Sequence, residues 1–358
     1  MSKRALPIVL LVLLLVAAGA LLVWRSLEDS VNRPGPHAET VRIHVRPGEG
    51  LRTVLGGVAR QGALHDARAV ELWLRLRGRN PKVRAGTYDL PAGSSALEIL
   101  ARLERGEVVL ESLTIVEGVT FRDFRRALEA HPRVRTTLRE RTDAEIMTAL
   151  GRPGLHPEGW FFPDTYRFAD GTTDLEILRL ASRQMERELA AAWEARRPDL
   201  PIHSPYEALI LASIVEKETA LPAERPLVAG VYTTRLRRGM RLQSDPTVIY
   251  GIGESYDGDI RGRDLRTDTP YNTYVRNGLP PTPIALPGRD ALRAVAAPRE
   301  TGAIFFVATG LPDGSHFFSA TYEEHRQGVT RMLERQRARD REARRAGASA
   351  AGATDARP

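Results

Sequence analysis

Glu216 closes a run of apolar residues that follows a well-specified helix start. In the segment Ser204 to Thr219, Ser204 reads as the N-cap, Pro205 as the first helical residue, and Glu207 at N3 as the closing member of a capping box. The helix should stop before Pro222. Its middle is apolar on nearly all sides, which predicts burial. A carboxyl group at such a place loses hydration, and its pKa rises because the charged form is disfavoured. A general acid working near neutral pH needs that shift. Glu216 shares a face with Leu209, Ala212 and Ser213, and the two small residues leave room for something bulky against the helix. Glu218 lies roughly 200° around the helix from Glu216. The two carboxyls cannot both face one substrate, so the helix offers one acid and not the flanking pair of a conventional glycosidase. Lys217 and Glu218 read as solvated helix-end residues, which is also the bland alternative for Glu216.

Three further segments carry polar groups that could recognise a sugar. Glu158-Gly-Trp-Phe-Phe-Pro-Asp-Thr-Tyr166 sets four aromatics and two acids around a Gly and a Pro. Aromatic faces suit the C–H faces of sugar rings; the competing reading is a hydrophobic loop packed on the core. Gln243, Ser244 and Asp245 crowd between a helix that ends at Gly239 and a new helical turn. They could bind hydroxyls and amides, or Ser244 could simply cap the turn. Asn272 and Thr273 sit between Tyr271 and Tyr274, ahead of a Pro-rich stretch that favours an extended wall. Amide, hydroxyl and tyrosine together suit an N-acetylated sugar, and also an ordinary turn. His316 and His325 invite a metal or triad reading, but no H-E-x-x-H, Walker loop or G-x-S-x-G elbow accompanies them. We therefore expect no metal and no cofactor.

The elements that must position these groups are those of an α+β protein. The chain has 358 residues, 42% hydrophobic and 27% charged, which allows more than one domain with a sizeable core. The net charge of +7 is spread without aromatic–basic interleaving, and no nucleic-acid signature is present. The absence of cysteine excludes disulfides, thiolate metal sites and Cys nucleophiles. Residues 5–24 are uncharged and long enough to span a bilayer as a helix, after a short tail at 1–4 carrying Lys3 and Arg4. Ala18-Gly-Ala20 could alternatively mark a cleaved signal peptide, but apolar residues continue through Val23, so we read an anchor. Residues 25–39 read as a linker. Residues 40–110 read as a small module of order β-α-α-β, LysM-like or a generic α+β unit, with its connection. Residues 111–330 form a larger mixed α+β domain. Residues 331–358 are a charged tail whose first part extends a helix and whose last dozen residues lack the apolar groups that would order them.

Taken together and in order, EGWFFPDTY, ASIVEKET, RLQSDPTVIYG, PYNTY followed by GLPPTPI, FFVA and HFFSATYEEH resemble the endolytic murein transglycosylase (YceG-like) family. The resemblance covers roughly Thr114 to His325. The family often has Ser where Thr269 stands and Asn where Arg326 stands.

The resemblance implies a lytic enzyme. Glu216 would protonate the glycosidic oxygen between N-acetylmuramic acid and N-acetylglucosamine, then take the proton of the muramoyl 6-hydroxyl as that oxygen closes onto C1. The product would be a 1,6-anhydro end. Glu158, Tyr166, Gln243, Asp245, Asn272 and Tyr274 would bind the strand. The partners implied are peptidoglycan glycan strands and peptidoglycan synthases, with no nucleic acid. The placement implied is a single-pass anchor in the bacterial cytoplasmic membrane with the catalytic domain outside the cytoplasm, where the enzyme would terminate nascent strands. The alternatives are a non-catalytic glycan-binding scaffold, and a true hydrolase that pairs Glu216 with a distant acid such as Glu158 or Asp245.

Overall fold

The computed structural model describes the backbone of residues 5–354 and the side chains of residues 9–342. Residues 1–4, expected as the tail before the anchor, lie outside the described residues, as do residues 355–358. The fold is mixed α+β and divides into two units. One comprises residues up to Ser112 together with Arg167–Thr172; the other comprises Leu113–Tyr166 and the chain from Thr173 onward.

The first unit begins with α1 (Ala5–Asn32). Its segment Val9–Asn32 is long and apolar enough to cross a membrane. The expected linker starts later than its composition suggests. The helix runs on to Asn32 because Leu27 and Val31, one helical turn apart, are buried in the core of this unit. Pro34, Gly35 and Pro36 then end it. The elements β1 (Val41–Val45), α2 (Leu51–Arg60), α3 (Ala67–Leu76) and β2 (Gly86–Leu90) follow in the expected order. β1 and β2 pair antiparallel, Val41 opposite Leu90 and Val45 opposite Gly86. Ile43, Val45, Tyr88 and Leu90 face the core, where they meet the apolar stripes of α2, α3 and α4 (Ala96–Arg105). Ser95 starts α4 with a full capping box to Glu98, and Gly106 ends it at φ 69°, a left-handed value that glycine adopts without a steric penalty.

The second unit is entered along β3 (Leu110–Thr114). It continues with α5 (Phe121–Ala130) and α6 (Asp143–Ala149), and the chain leaves it along β4 (Thr165–Ala169), which pairs with β3, before returning at Thr173. Thr120 and Asp123 form the capping box of α5. Then come α7 (Asp174–Glu194), α8 (Pro205–Glu218), α9 (Arg225–Arg237), α10 (Asp245–Ile252), α11 (Gly262–Arg266), α12 (Arg289–Ala296), the antiparallel pair β5 (Phe305–Ala308) and β6 (His316–Ser319), and α13 (Tyr322–Thr354). The core is built around α8, on which α7, α9, α10 and α12 pack. The backbone of α13 is helical to Thr354.

Candidate active site

α8 starts much as its sequence predicts. The Ser204 hydroxyl accepts the Glu207 N–H at 3.2 Å. The return bond of the expected capping box goes one residue further out: the Glu207 carboxylate takes the N–H of His203 at 2.6 Å. Every residue from Ala208 to Glu216 is buried. A helix apolar all round and packed on several sides is the most rigid platform this unit has. The carboxyls near its end are therefore firmly placed.

Glu216, the expected acid, is engaged on both oxygens, and its pKa is nonetheless raised, with Glu117 and Asp290 adding to the effect of burial. Its Oε1 accepts from Arg225 Nη2 at 2.7 Å, with both side chains almost wholly buried. Its Oε2 accepts the Gly288 N–H at 2.9 Å. Burial pushes this carboxyl up, while the Gly288 N–H and the Arg225 guanidinium oppose the rise. Both partners can only donate, so the two oxygens are arranged as those of an anion in an ion pair. The small-residue stripe is filled as well, and by the chain itself. The Ser213 hydroxyl accepts the Ile284 N–H at 2.9 Å, and Pro283 and Leu209 close around Gly159.

Glu218 has the surroundings expected of Glu216. It is not a solvated helix-end residue: Tyr232 and Ser244 each donate a hydroxyl to its Oε1 at 2.5 Å. No salt bridge to it is formed among the described residues, although His316 and Arg235 act on it through space. Burial pushes the Glu218 carboxyl up, the two hydroxyls hold it back, and the nearby Asp245 carboxylate adds to the rise. A signal was present in the sequence. Glu218 shares its face with Leu211, Ile214 and Val215, which are as apolar as the neighbours of Glu216. Because α8 is buried on every side, periodicity alone does not choose between the two faces.

The binding candidates divide into three groups. Gln243, Asp245 and Tyr274 lie with Glu218. The Tyr274 hydroxyl donates to Asp245 at 2.5 Å, the Gln243 N–H donates to the Thr273 carbonyl at 3.1 Å, and the Ser244 N–H donates to the Thr273 hydroxyl at 3.0 Å. Two loops thus run side by side next to the acid. Gln243 adopts φ 53°, the one non-glycine residue with positive φ among the described residues, which re-aims the chain at Ser244. Ser244 itself does not cap α10, because its hydroxyl is committed to Glu218.

Asn272 and Tyr166 do internal work. The Asn272 amide donates to the carbonyls of Asp264, Leu265 and Thr267, and its oxygen accepts the Tyr274 N–H at 2.9 Å. With its amide hydrogens so engaged and its side chain buried, it shapes the loop. Tyr166 is buried, donates to the Phe162 carbonyl and stacks near Phe124. Phe161 and Phe162 are core residues and Trp160 stacks on Tyr206, so the aromatic segment follows its packed-loop reading.

Glu158 stands apart from both groups. It is buried, its Oε1 accepts the Phe121 N–H at the start of α5 at 2.8 Å, and its Oε2 accepts the Tyr250 hydroxyl at 3.0 Å. Desolvation pushes its pKa up to about 7 against those bonds. It lines a cleft of about 1030 Å³ together with Phe121, Lys217, Tyr250 and Tyr271.

Fold and site define a class: an α+β protein with one unpaired, poorly hydrated carboxyl on a buried helix, flanked by hydroxyl, amide and carboxylate side chains. The chain belongs to the YceG-like family, whose model matches residues 43–331. The endolytic murein transglycosylase of Bacillus subtilis is 26% identical over 336 residues, covering 89% of this chain and 91% of that protein. The endolytic murein transglycosylase of Streptococcus pneumoniae serotype 2 is 25% identical over 354 residues, and the match covers 89% of this chain and 63% of that longer relative. The crystal structure of a YceG-like protein from Listeria monocytogenes superposes with a TM-score of 0.51 at 26% identity, covering 81% of this chain and 99% of the other.

Proposed function

We propose that this protein is an endolytic murein transglycosylase in which Glu218 is the sole acid and base. The observation that carries the assignment is the pair of hydroxyl donors, Tyr232 and Ser244, on a carboxyl that forms no salt bridge among the described residues. Protonated Glu218 donates to the oxygen linking N-acetylmuramic acid to N-acetylglucosamine, and that C–O bond breaks. The resulting carboxylate then takes the proton of the muramoyl 6-hydroxyl as its oxygen bonds to C1. The 1,6-anhydro end forms, the proton count is restored and no water is consumed. Both hydroxyls donate to Oε1, so Oε2 is the oxygen that exchanges the proton. The two donors stabilise the carboxylate during the interval when it is charged. Asp245, Tyr274 and Gln243 are the groups beside the acid that would position the sugars.

The family relationship and the apolar α1 support a wider reading. The enzyme would sit in the bacterial cytoplasmic membrane by a single span, with its catalytic domain outside the cytoplasm, and terminate nascent strands beside peptidoglycan synthases. The β-α-α-β unit would act as a LysM-like glycan-binding module.

The test is the mass of the products released from intact sacculi. We expect anhydro-muropeptides, and in Glu218→Gln a fall in rate of about 10²- to 10⁴-fold. Products heavier by one water would make the protein a hydrolase. Release at the wild-type rate by Glu218→Gln would end the assignment of the acid. No release by the wild-type protein would leave a glycan-binding scaffold.

A further inference from the structure

The cleft that contains Glu158 is not lined by Glu218 or Asp245 themselves, but it is lined by a chain neighbour of each. Lys217 lines it and immediately precedes Glu218; Pro246 lines it and immediately follows Asp245. The cleft has two kinds of lining. Tyr250 and Tyr271 meet edge to face and give it an apolar wall. Opposite in character are three cations, Arg122, Arg126 and Lys217.

The charges do not cancel. Arg122 and Arg126 share one carboxylate, Glu254, at 2.7 and 3.2 Å. Arg126 also lies 4.0 Å from Asp123, whose other oxygen is held by the Thr120 cap. Asp143 is taken by Arg125 at 2.9 Å. Lys217 meets only the backbone carbonyl of Gly118, at 3.1 Å, and has no carboxylate partner among the described residues. The remaining acid, Glu158, is buried with both oxygens bonded, and its pKa of about 7 keeps much of it neutral at mild pH.

We propose that this cleft receives the carboxylate-bearing peptide branches of the glycan strand whose sugars lie at Glu218. The inference rests on the transglycosylase reading and extends it from the sugar backbone to the branches. Lys217 and the doubly shared Arg122–Arg126 pair supply charge-assisted hydrogen bonds to branch carboxylates, and the tyrosines cover their aliphatic parts.

The experiment measures binding and not turnover. Full-length protein carrying Glu218→Gln is titrated calorimetrically with two probes: a glycan oligomer bearing acidic peptide branches, and the same oligomer stripped of them by an amidase. The branched probe should bind more tightly. The ratio of the two affinities should fall about tenfold in Lys217→Ala and, separately, in Arg126→Ala. It should also shrink as salt is raised from about 50 to about 500 mM. Both side chains are exposed, so neither substitution threatens the fold. A ratio near one in the parent, or one that neither substitution changes, overturns the proposal while leaving the transglycosylase reading intact. Failure of both probes to bind overturns the transglycosylase reading and this inference with it.

Discussion

Ser244 gives its hydroxyl to Glu218, 26 positions earlier in the chain, across 2.5 Å, and not to the first turn of the helix it precedes. An N-cap bond would stabilise α10 by about 1 kcal/mol. Here that local gain is forgone for a long-range bond to a half-buried carboxyl. The same loop holds Gln243 at φ 53°. Local cost at two successive residues and a poorly hydrated acid at the same point are the pattern of a site whose geometry is fixed for chemistry.

The Ser244 bond lowers the pKa of Glu218, because it favours the charged form. Ser244→Ala should raise that pKa further. A general acid is active while protonated, so the alkaline limb of the kcat profile should move to higher pH. A pH–rate series on sacculi reads this directly. A limb that stays put or moves down would separate Ser244 from the acid.

Glu216 should matter for stability. Glu216→Ala leaves Arg225 beside a void with only the more exposed Glu117 at 3.3 Å and Asp290 at 3.6 Å to pair with, and the native state should lose about 3 kcal/mol. Glu218→Gln, which keeps the hydrogen-bonding shape, should cost far less. Urea unfolding of the two variants decides the matter: equal stability would mean that the Glu216–Arg225 pair is not structural.

Glu158 makes stability depend on pH in a defined direction. Its folded pKa, about 7, lies above the ordinary 4.5. The native state therefore keeps a proton that the unfolded chain releases. The stabilisation is complete below about pH 4.5 and is lost as pH rises through about 7, a change on the order of 3 kcal/mol. Glu158→Gln cannot titrate, and its amide can still accept from Phe121 and donate to Tyr250. The variant should lack that part of the slope. Unfolding free energies at pH 4.5 and 7.5 check this, and an undiminished slope in the variant would assign the pH dependence elsewhere.

Gly159 holds the Glu158 loop against the segment that fills the α8 stripe. It sits at φ 84°, and a Cβ there would lie 2.5 Å from Pro283 Cγ. Gly159→Ala should cost about 2 to 4 kcal/mol from backbone strain and overpacking together. The same change at Gly154, where φ is 80° and nothing lies within 4 Å of a Cβ, should cost only the backbone part. Comparing the two by denaturant titration separates the contributions.

The sequence by itself determined where the site helix begins and that its two carboxyls lie on different faces. Ser204 and Pro205 set where α8 begins, the apolar run from Ala208 onward set its burial, and the 3.6-residue period set that Glu216 and Glu218 point apart. Those are local properties, carried by neighbouring side chains and backbone sterics. Which carboxyl is the acid is a long-range matter. It depends on Arg225 and Gly288 reaching Glu216, and on Tyr232 and Ser244 reaching Glu218. A buried helix looks alike on every side in sequence, so only the groups that tertiary packing brings to each face decide whether a carboxyl is held as an anion or left to carry a proton. Asn272 makes the same point: its type suited a sugar amide, but three carbonyls of its own loop had already taken its hydrogens.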